Sequence, residues 1–190
     1  MTTLSNLLII GSTGRNTGKT EFACSIIKKH AVTHKIVGIK IVPVDKNERH
    51  CHRGEDGCGL CDSLKGKFKI IEEDTKDTSK DTSRMLKAGA EKVFLLLADR
   101  NFLKLGIQAL LKKLPEEALV IIESNSVRKV IEPGLFVVIM KSMHDSIKDS
   151  CADVIEFADK IIGFDKMKWD FLPDRILIQD GAWVIEKSQV

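Results

Sequence analysis

Short apolar runs alternate along the chain with stretches in which apolar residues recur every three or four positions. The first kind reads as buried strands, the second as helices with one wet face. The strand candidates are Leu7–Ile10, Ile36–Val42, Phe68–Glu72, Val93–Ala98, Leu119–Glu123, Phe136–Met140 and Lys160–Phe164. Several are apolar at almost every position, as strands covered on both faces are. Lys19–Ala31 carries Phe22, Ala23, Ile26 and Ile27 at helical spacing, against Lys28, Lys29 and His30 on the other side. Ser79–Ala88 ends at Gly89, suited to a C-cap, and Phe102–Leu114 stops before Pro115. Asp145–Phe157 presents Ile147, Cys151, Val154 and Ile155 as an apolar face. This alternation predicts an α/β, doubly wound, mostly parallel sheet of about seven strands with helices on both faces. Arg175–Glu186 reads as a C-terminal hairpin around Asp180-Gly181. No repeat or linker interrupts the pattern, so one domain over residues 1–190 is expected. A single insertion breaks it at about 43–67, which is polar, contains Gly54, Gly57, Gly59 and Gly66, and offers little to bury.

Composition narrows the partners. Hydrophobic residues make up 43% and charged residues 30%, an ordinary globular balance. The net charge of +3 is mild, and the lysines are interleaved with acids instead of forming a basic stripe, which argues against nucleic acid. No apolar run approaches the ~20 residues that cross a bilayer, so no membrane association is expected. The N-terminus lacks a basic start and a cleavage site for secretion. The five cysteines are odd in number and three crowd into one loop, which favours a reducing cytoplasm over a disulfide framework.

The strongest chemical signal follows the first strand. Gly11-Ser12-Thr13-Gly14-Arg15-Asn16-Thr17-Gly18-Lys19-Thr20 lies between a strand and an amphipathic helix, the context in which a phosphate-binding P-loop is meaningful. Glycines let successive backbone N–H groups turn toward one spot, and the helix N-terminus adds its dipole there. Gly14, Arg15, Asn16, Thr17, Gly18, Lys19, Thr20 and Glu21 form the candidate nucleotide cradle. Lys19 would neutralise the β- and γ-phosphates of GTP or ATP, and the Thr20 hydroxyl would ligate Mg²⁺. Thr13 stands where the common formula has glycine, with Gly11 and Gly14 beside it as substitutes. Arg15 can reach phosphate or a partner subunit, or stand as an exposed loop arginine.

Asn16-Thr17-Gly18-Lys19-Thr20 resembles the N-S-G-K-T cradle of the MobB family, GTP-binding accessory proteins of molybdopterin-guanine dinucleotide biosynthesis. Lys80-Asp81-Thr82-Ser83-Arg84, followed by Ala88-Gly89-Ala90, is similar to that family's K-D-S-x-R…A-G-A segment. Val120-Ile121-Ile122-Glu123-Ser124 is a weaker echo of a strand ending in V-E-G. The likeness covers roughly residues 5 to 125. It departs at Thr13, at Ser124 and in the cysteine loop. It implies a SIMIBI-type P-loop fold, often a homodimer, with slow nucleotide hydrolysis and a partner protein in cofactor assembly. Related branches include dethiobiotin synthetase, whose strand ending in K-P-V is loosely similar to Gly38-Ile39-Lys40-Ile41-Val42-Pro43. They also include nickel-insertion GTPases with cysteine metal sites.

A nucleotide site also needs a carboxylate near Mg²⁺. Glu123, closing a buried strand, is the first candidate; Asp81 is the second and Asp45 the third. Lys19, Glu123 and Asp81 make up the expected catalytic set. Each acid taken singly reads as readily as a cap or a solvated strand end. The insertion packs His50, Cys51, His52, Cys58 and Cys61 into twelve residues. Cys58 and Cys61 suit one ion, with Cys51 and a histidine completing a Zn²⁺ tetrahedron, or three thiolates suit an iron–sulfur cluster. The plain alternative is a loop with spare thiols or a redox pair. Cys24 and Cys151 fall on apolar helix faces and read as core. Met140-Lys141-Ser142-Met143 stands where GTPases carry N-K-x-D; Lys141 can stack on a base, but the aspartate is missing. The leading expectation is thus a nucleotide-hydrolysing accessory protein of molybdopterin or metallocentre biosynthesis. A small-molecule kinase or ATP-dependent ligase, and a nucleotide-gated metal-delivery module, are the alternatives.

Overall fold

The computed structural model describes residues 3–45, 64–76, 78–141, 146–165 and 167–186. Seven strands form one sheet: β1 (Thr3–Ser12), β2 (Ile36–Val44), β3 (Phe68–Glu72), β4 (Lys92–Asp99), β5 (Leu119–Glu123), β6 (Glu132–Met140) and β7 (Lys160–Gly163). Their order is β3-β4-β2-β5-β1-β6-β7, and every neighbouring pair is parallel except β3 with β4. The helices are α1 (Lys19–His30), α2 (Asp81–Lys87), α3 (Leu103–Leu111) and α4 (Asp149–Ala152).

Alternation along the central strands explains why both faces are covered. Leu7 and Ile9 of β1 join one core with Leu103, Ile107 and Leu110 of α3 and with Cys151 and Val154. Leu8 and Ile10 join the opposite core with Phe22, Ala23, Ile26 and Ile27 of α1 and with Met85 and Leu86 of α2. The helix after β1 therefore covers one face and the helix after β6 the other. Adjacent parallel strands that diverge in this way open a crevice beyond their carboxyl ends.

The hairpin is β8 (Ile176–Gln179) with β9 (Ala182–Ile185), antiparallel. Its turn residues Asp180 (φ 50°) and Gly181 (φ 73°) both adopt the left-handed conformation that a two-residue hairpin needs.

Three expectations change in detail. Pro43 and Val44 belong to β2, and Leu64 is buried against Val42, Val44 and Leu97, so the insertion is bounded by a small apolar cluster. The helix expected over 145–157 is only α4 followed by a 3-10 turn at Ile155–Phe157. Val154, at φ −137°, interrupts it while still filling the core, and Ile147 is exposed instead of lying on an apolar face. The helix expected from Ser79 begins at Asp81, because Lys80 is extended. Among the described residues, no helix is long and apolar enough to cross a membrane.

Candidate functional site

The glycine-rich loop leaves β1 at the crevice and is fixed from three sides. Asn125, just past β5, accepts from Ser12 N (2.7 Å) and donates to Ser12 O (2.9 Å), so its side-chain amide extends the β1–β5 pairing. A Cβ at Gly11 would lie 2.7 Å from Asn125 Oδ1, which is why glycine stands there. Thr13 N donates to Ile139 O (3.0 Å), and Thr13 O accepts from Lys148 N (3.0 Å). Thr13 has no positive φ; the left-handed positions are Asn16 (φ 53°) and Gly18 (φ 73°). The departure at residue 13 is therefore free of backbone strain, and Gly18 supplies the freedom that the loop requires.

Among the described residues, no protein acceptor takes up the backbone N–H groups of Gly14 through Thr20. The buried hydroxyls of Thr13 and Thr17 also lack a partner among them. Arg15 and Asn16 are exposed, where water satisfies such groups, but Thr17 and Thr20 are buried, and helix N-termini often satisfy such donors with an anion. Lys19 bends back onto the loop, its Nζ donating to Ser12 Oγ (2.6 Å), which in turn donates to Gly14 O (2.8 Å). Burial pushes the Lys19 ammonium down to about 8; Glu123 opposes this, while Lys40 and Lys148 add to it.

Glu123 lies at the carboxyl end of β5, on the same face as Leu119 and Ile121, toward α1 and α2. Lys40 of β2 is its register partner. Glu123 is 2% exposed. Its Oε2 accepts from Thr20 Oγ1 (2.9 Å), and its Oε1 pairs with the Lys40 ammonium. Lys40 Nζ also lies 2.9 Å from Asp81 Oδ2. The structure thus joins Thr20, Glu123 and Asp81 into one cluster through Lys40, with the Lys19 ammonium near enough to be influenced by Glu123 and Lys40. With its proton engaged by Glu123, the Thr20 hydroxyl keeps its lone pairs for a cation. Two carboxylates, a hydroxyl and phosphate oxygens form the donor set magnesium prefers. Among the described residues no group of three or more His, Cys, Asp or Glu is arranged to hold a metal.

The remaining candidates fall elsewhere. The Glu21 carboxylate pairs with Arg84 at the surface. Arg15 is exposed; partial desolvation, then Arg15 and Lys40, push Lys148 below the usual lysine range, although Lys148 is itself an exposed residue. Asp45 lies 3.7 Å from Arg100 Nε. Burial raises the thiols of Cys24, to about 11, and of Cys151; Cys151 is a core residue as expected, whereas Cys24 is only partly buried against the core. His50, Cys51, His52, Cys58 and Cys61 lie outside the described residues.

Beside the loop, a pocket of about 310 Å³ opens at the ends of β6 and β7, lined by Met140, Lys141, Gly163, Phe164, Asp165, Lys168 and Asp170. Phe164 is shared by pocket and loop, since a Cβ at Gly18 would lie 3.3 Å from its ring and from that of Trp169. Another hollow, of about 290 Å³ around Thr33, His34 and Glu91, sits at the far end of α1.

Sequence reasoning missed Lys40, Asn125 and Lys148. Lys40 left a signal, being the one charged residue in the nine-residue strand Ile36–Val44. Asn125 and Lys148 left none, because their roles depend on which strand ends lie side by side. Comparison with family models, with curated proteins and with solved structures finds no match to this chain.

Proposed function

We propose that this chain is a P-loop NTPase that binds a magnesium-bound nucleoside triphosphate, GTP or ATP, and hydrolyses it slowly as an accessory protein of molybdopterin or metallocentre assembly. The observation that carries the reading is the run of N–H groups from Gly14 to Thr20 that find no acceptor among the described residues, ending at a helix N-terminus with Lys19 at hand. Such a segment is complementary to a polyphosphate. Lys19 moves from Ser12 Oγ to the β- and γ-phosphates. Thr20, oriented by Glu123, faces the cation, and Glu123 or Asp81 orients the attacking water. Magnesium, when bound, supplies Lewis-acid neutralisation of the phosphate oxygens. The pocket at Phe164 and Lys141 takes the base, at the lower end of the ~300–1,000 Å³ range of ligand sites.

The assembly role rests on the resemblance to MobB proteins alone, and one geometric fact bears on that resemblance. The two segments that carry the likeness, Asn16–Thr20 and Lys80–Arg84, meet at the Lys40–Glu123 pair through Thr20 and Asp81. Titration of GTP and ATP with Mg²⁺ tests the reading. Wild type is expected to bind one of them, and Lys19→Ala to weaken binding at least about tenfold, the scale of one charge-assisted contact. Unaltered affinity and turnover in Lys19→Ala removes the proposal.

A further inference from the structure

We infer that Lys40 is the resident counter-ion of the cation site: its ammonium neutralises Glu123 and Asp81, and a divalent metal binds at Thr20 and Glu123 only as that ammonium leaves. The inference rests on the nucleotide-binding reading and adds to it a coupling between metal and nucleotide.

The argument starts from burial. Burying a carboxylate as enclosed as that of Glu123 is costly without a cation beside it. Lys40, whose side chain is 13% exposed, is that cation, and it reaches Asp81 at 2.9 Å with the same ammonium. A divalent ion held by Thr20 Oγ1 would share the Glu123 carboxylate with Lys40, since the hydroxyl and the ammonium occupy its two oxygens. An ammonium and a doubly charged ion repel strongly at such separations in a poorly solvated site. Lysine is built to yield, because its charge sits on a flexible four-carbon stem. Lys19 and Lys40, with Lys148 close enough to act on both, already answer the charge of Glu123 and Asp81, so metal alone adds positive charge that the cluster does not need. A triphosphate restores the balance and gives the displaced ammonium a new partner in its terminal phosphate. Metal is thereby discouraged without nucleotide and welcomed with it.

The test uses nucleotide-free, full-length protein and Mn²⁺ as the probe, with bound ion counted by electron paramagnetic resonance. Lys40→Met is expected to bind Mn²⁺ at least about tenfold more tightly than wild type, the scale of one like charge removed from a partly buried site. Lys40→Arg is expected to stay at or below wild type. Glu123→Gln added to Lys40→Met is expected to abolish the gain. Unchanged or weaker Mn²⁺ binding in folded Lys40→Met overturns the inference, as does a gain that survives Glu123→Gln. Should Lys40→Met fail to fold, wild type decides by reductive methylation. Mass spectrometry of the Lys40 peptide should show faster modification with saturating Mn²⁺, and an unchanged rate is fatal to the idea. Nucleotide titration of wild type separates the two readings: loss of nucleotide binding sinks both, whereas intact binding with no Mn²⁺ gain sinks only the counter-ion.

Discussion

At the scale of single residues, Lys19 carries a signature that can be read in solution. An unfolded lysine titrates near ~10.4, whereas burial holds this one at about 8 against the opposing pull of Glu123. Between those values the unfolded chain binds more protons than the folded one, so the Lys19 contribution makes ligand-free stability rise with pH over that window. A bound polyphosphate reverses the preference, because it favours the ammonium. Nucleotide binding at pH 8 should therefore take up about half a proton from the buffer, and almost none at pH 6. Calorimetry at pH 8 in buffers of different ionisation enthalpy measures this as a slope; a zero slope contradicts the assigned role. The residue itself was plain in the sequence, standing at the end of a glycine-rich segment between strand and helix. What surrounds it was not. Thr13 looked like a defect, yet the left-handed backbone falls at Asn16 and Gly18. Backbone torsion is not written in residue type except at glycine, and even there only as permission.

The acid site belongs to the scale of elements, since Thr20, Lys40, Glu123 and Asp81 come from α1, β2, β5 and α2. Periodicity marked Glu123 as the end of a buried strand, but it could not say that β2 lies beside β5. Pairing across a parallel sheet is a long-range fact, and Lys40 became visible only through its register with Glu123. Asp81 depends on how the segment before α2 is held. Glu73 accepts from Thr82 Oγ1 (2.5 Å) and from Thr75 Oγ1 (2.6 Å), while Ser83 donates to Thr75 O (2.8 Å). Burial tends to raise the Glu73 carboxyl, but these hydrogen bonds outweigh it and hold it below the usual glutamate range. Its contribution is thus present at neutral pH and lost as pH falls through the folded value. Glu73→Ala is expected to cost about 1–3 kcal/mol in urea unfolding at pH 7. The cost should shrink toward pH 3, where wild type has also lost the charged acceptor. A cost that is the same at both pH values would show that this carboxylate does not fasten the segment.

Across the whole molecule, α1 links the two parts that the sequence described most unevenly. Its first turn faces the loop, whose motif was legible; its last turn meets the hairpin, whose turn was legible but whose docking was not. His30 Nε2 lies 2.9 Å from Ile176 O, and the Trp183 ring stands edge-on to His30 at 5.5 Å. Trp183 is 2% exposed and donates Nε1–H to Asn6 O (3.0 Å), so the hairpin closes the core over α1 and β1. At a rise of ~1.5 Å per residue, the twelve residues of α1 place this contact roughly 18 Å from the loop. Stability and binding should therefore separate. Trp183→Ala removes a buried aromatic ring and leaves Asn6 O without its donor, a loss of about 3–5 kcal/mol. The loop is held by Asn125, Ile139 and Lys148, and among the described residues none of the three is hydrogen-bonded to the hairpin. Nucleotide affinity of the folded variant is expected to equal that of wild type at a temperature well below its melting point. A parallel loss of affinity would mean that the hairpin sets the position of α1 along its whole length, and that the loop is shaped from the far end of the helix as well as from the strand ends around it.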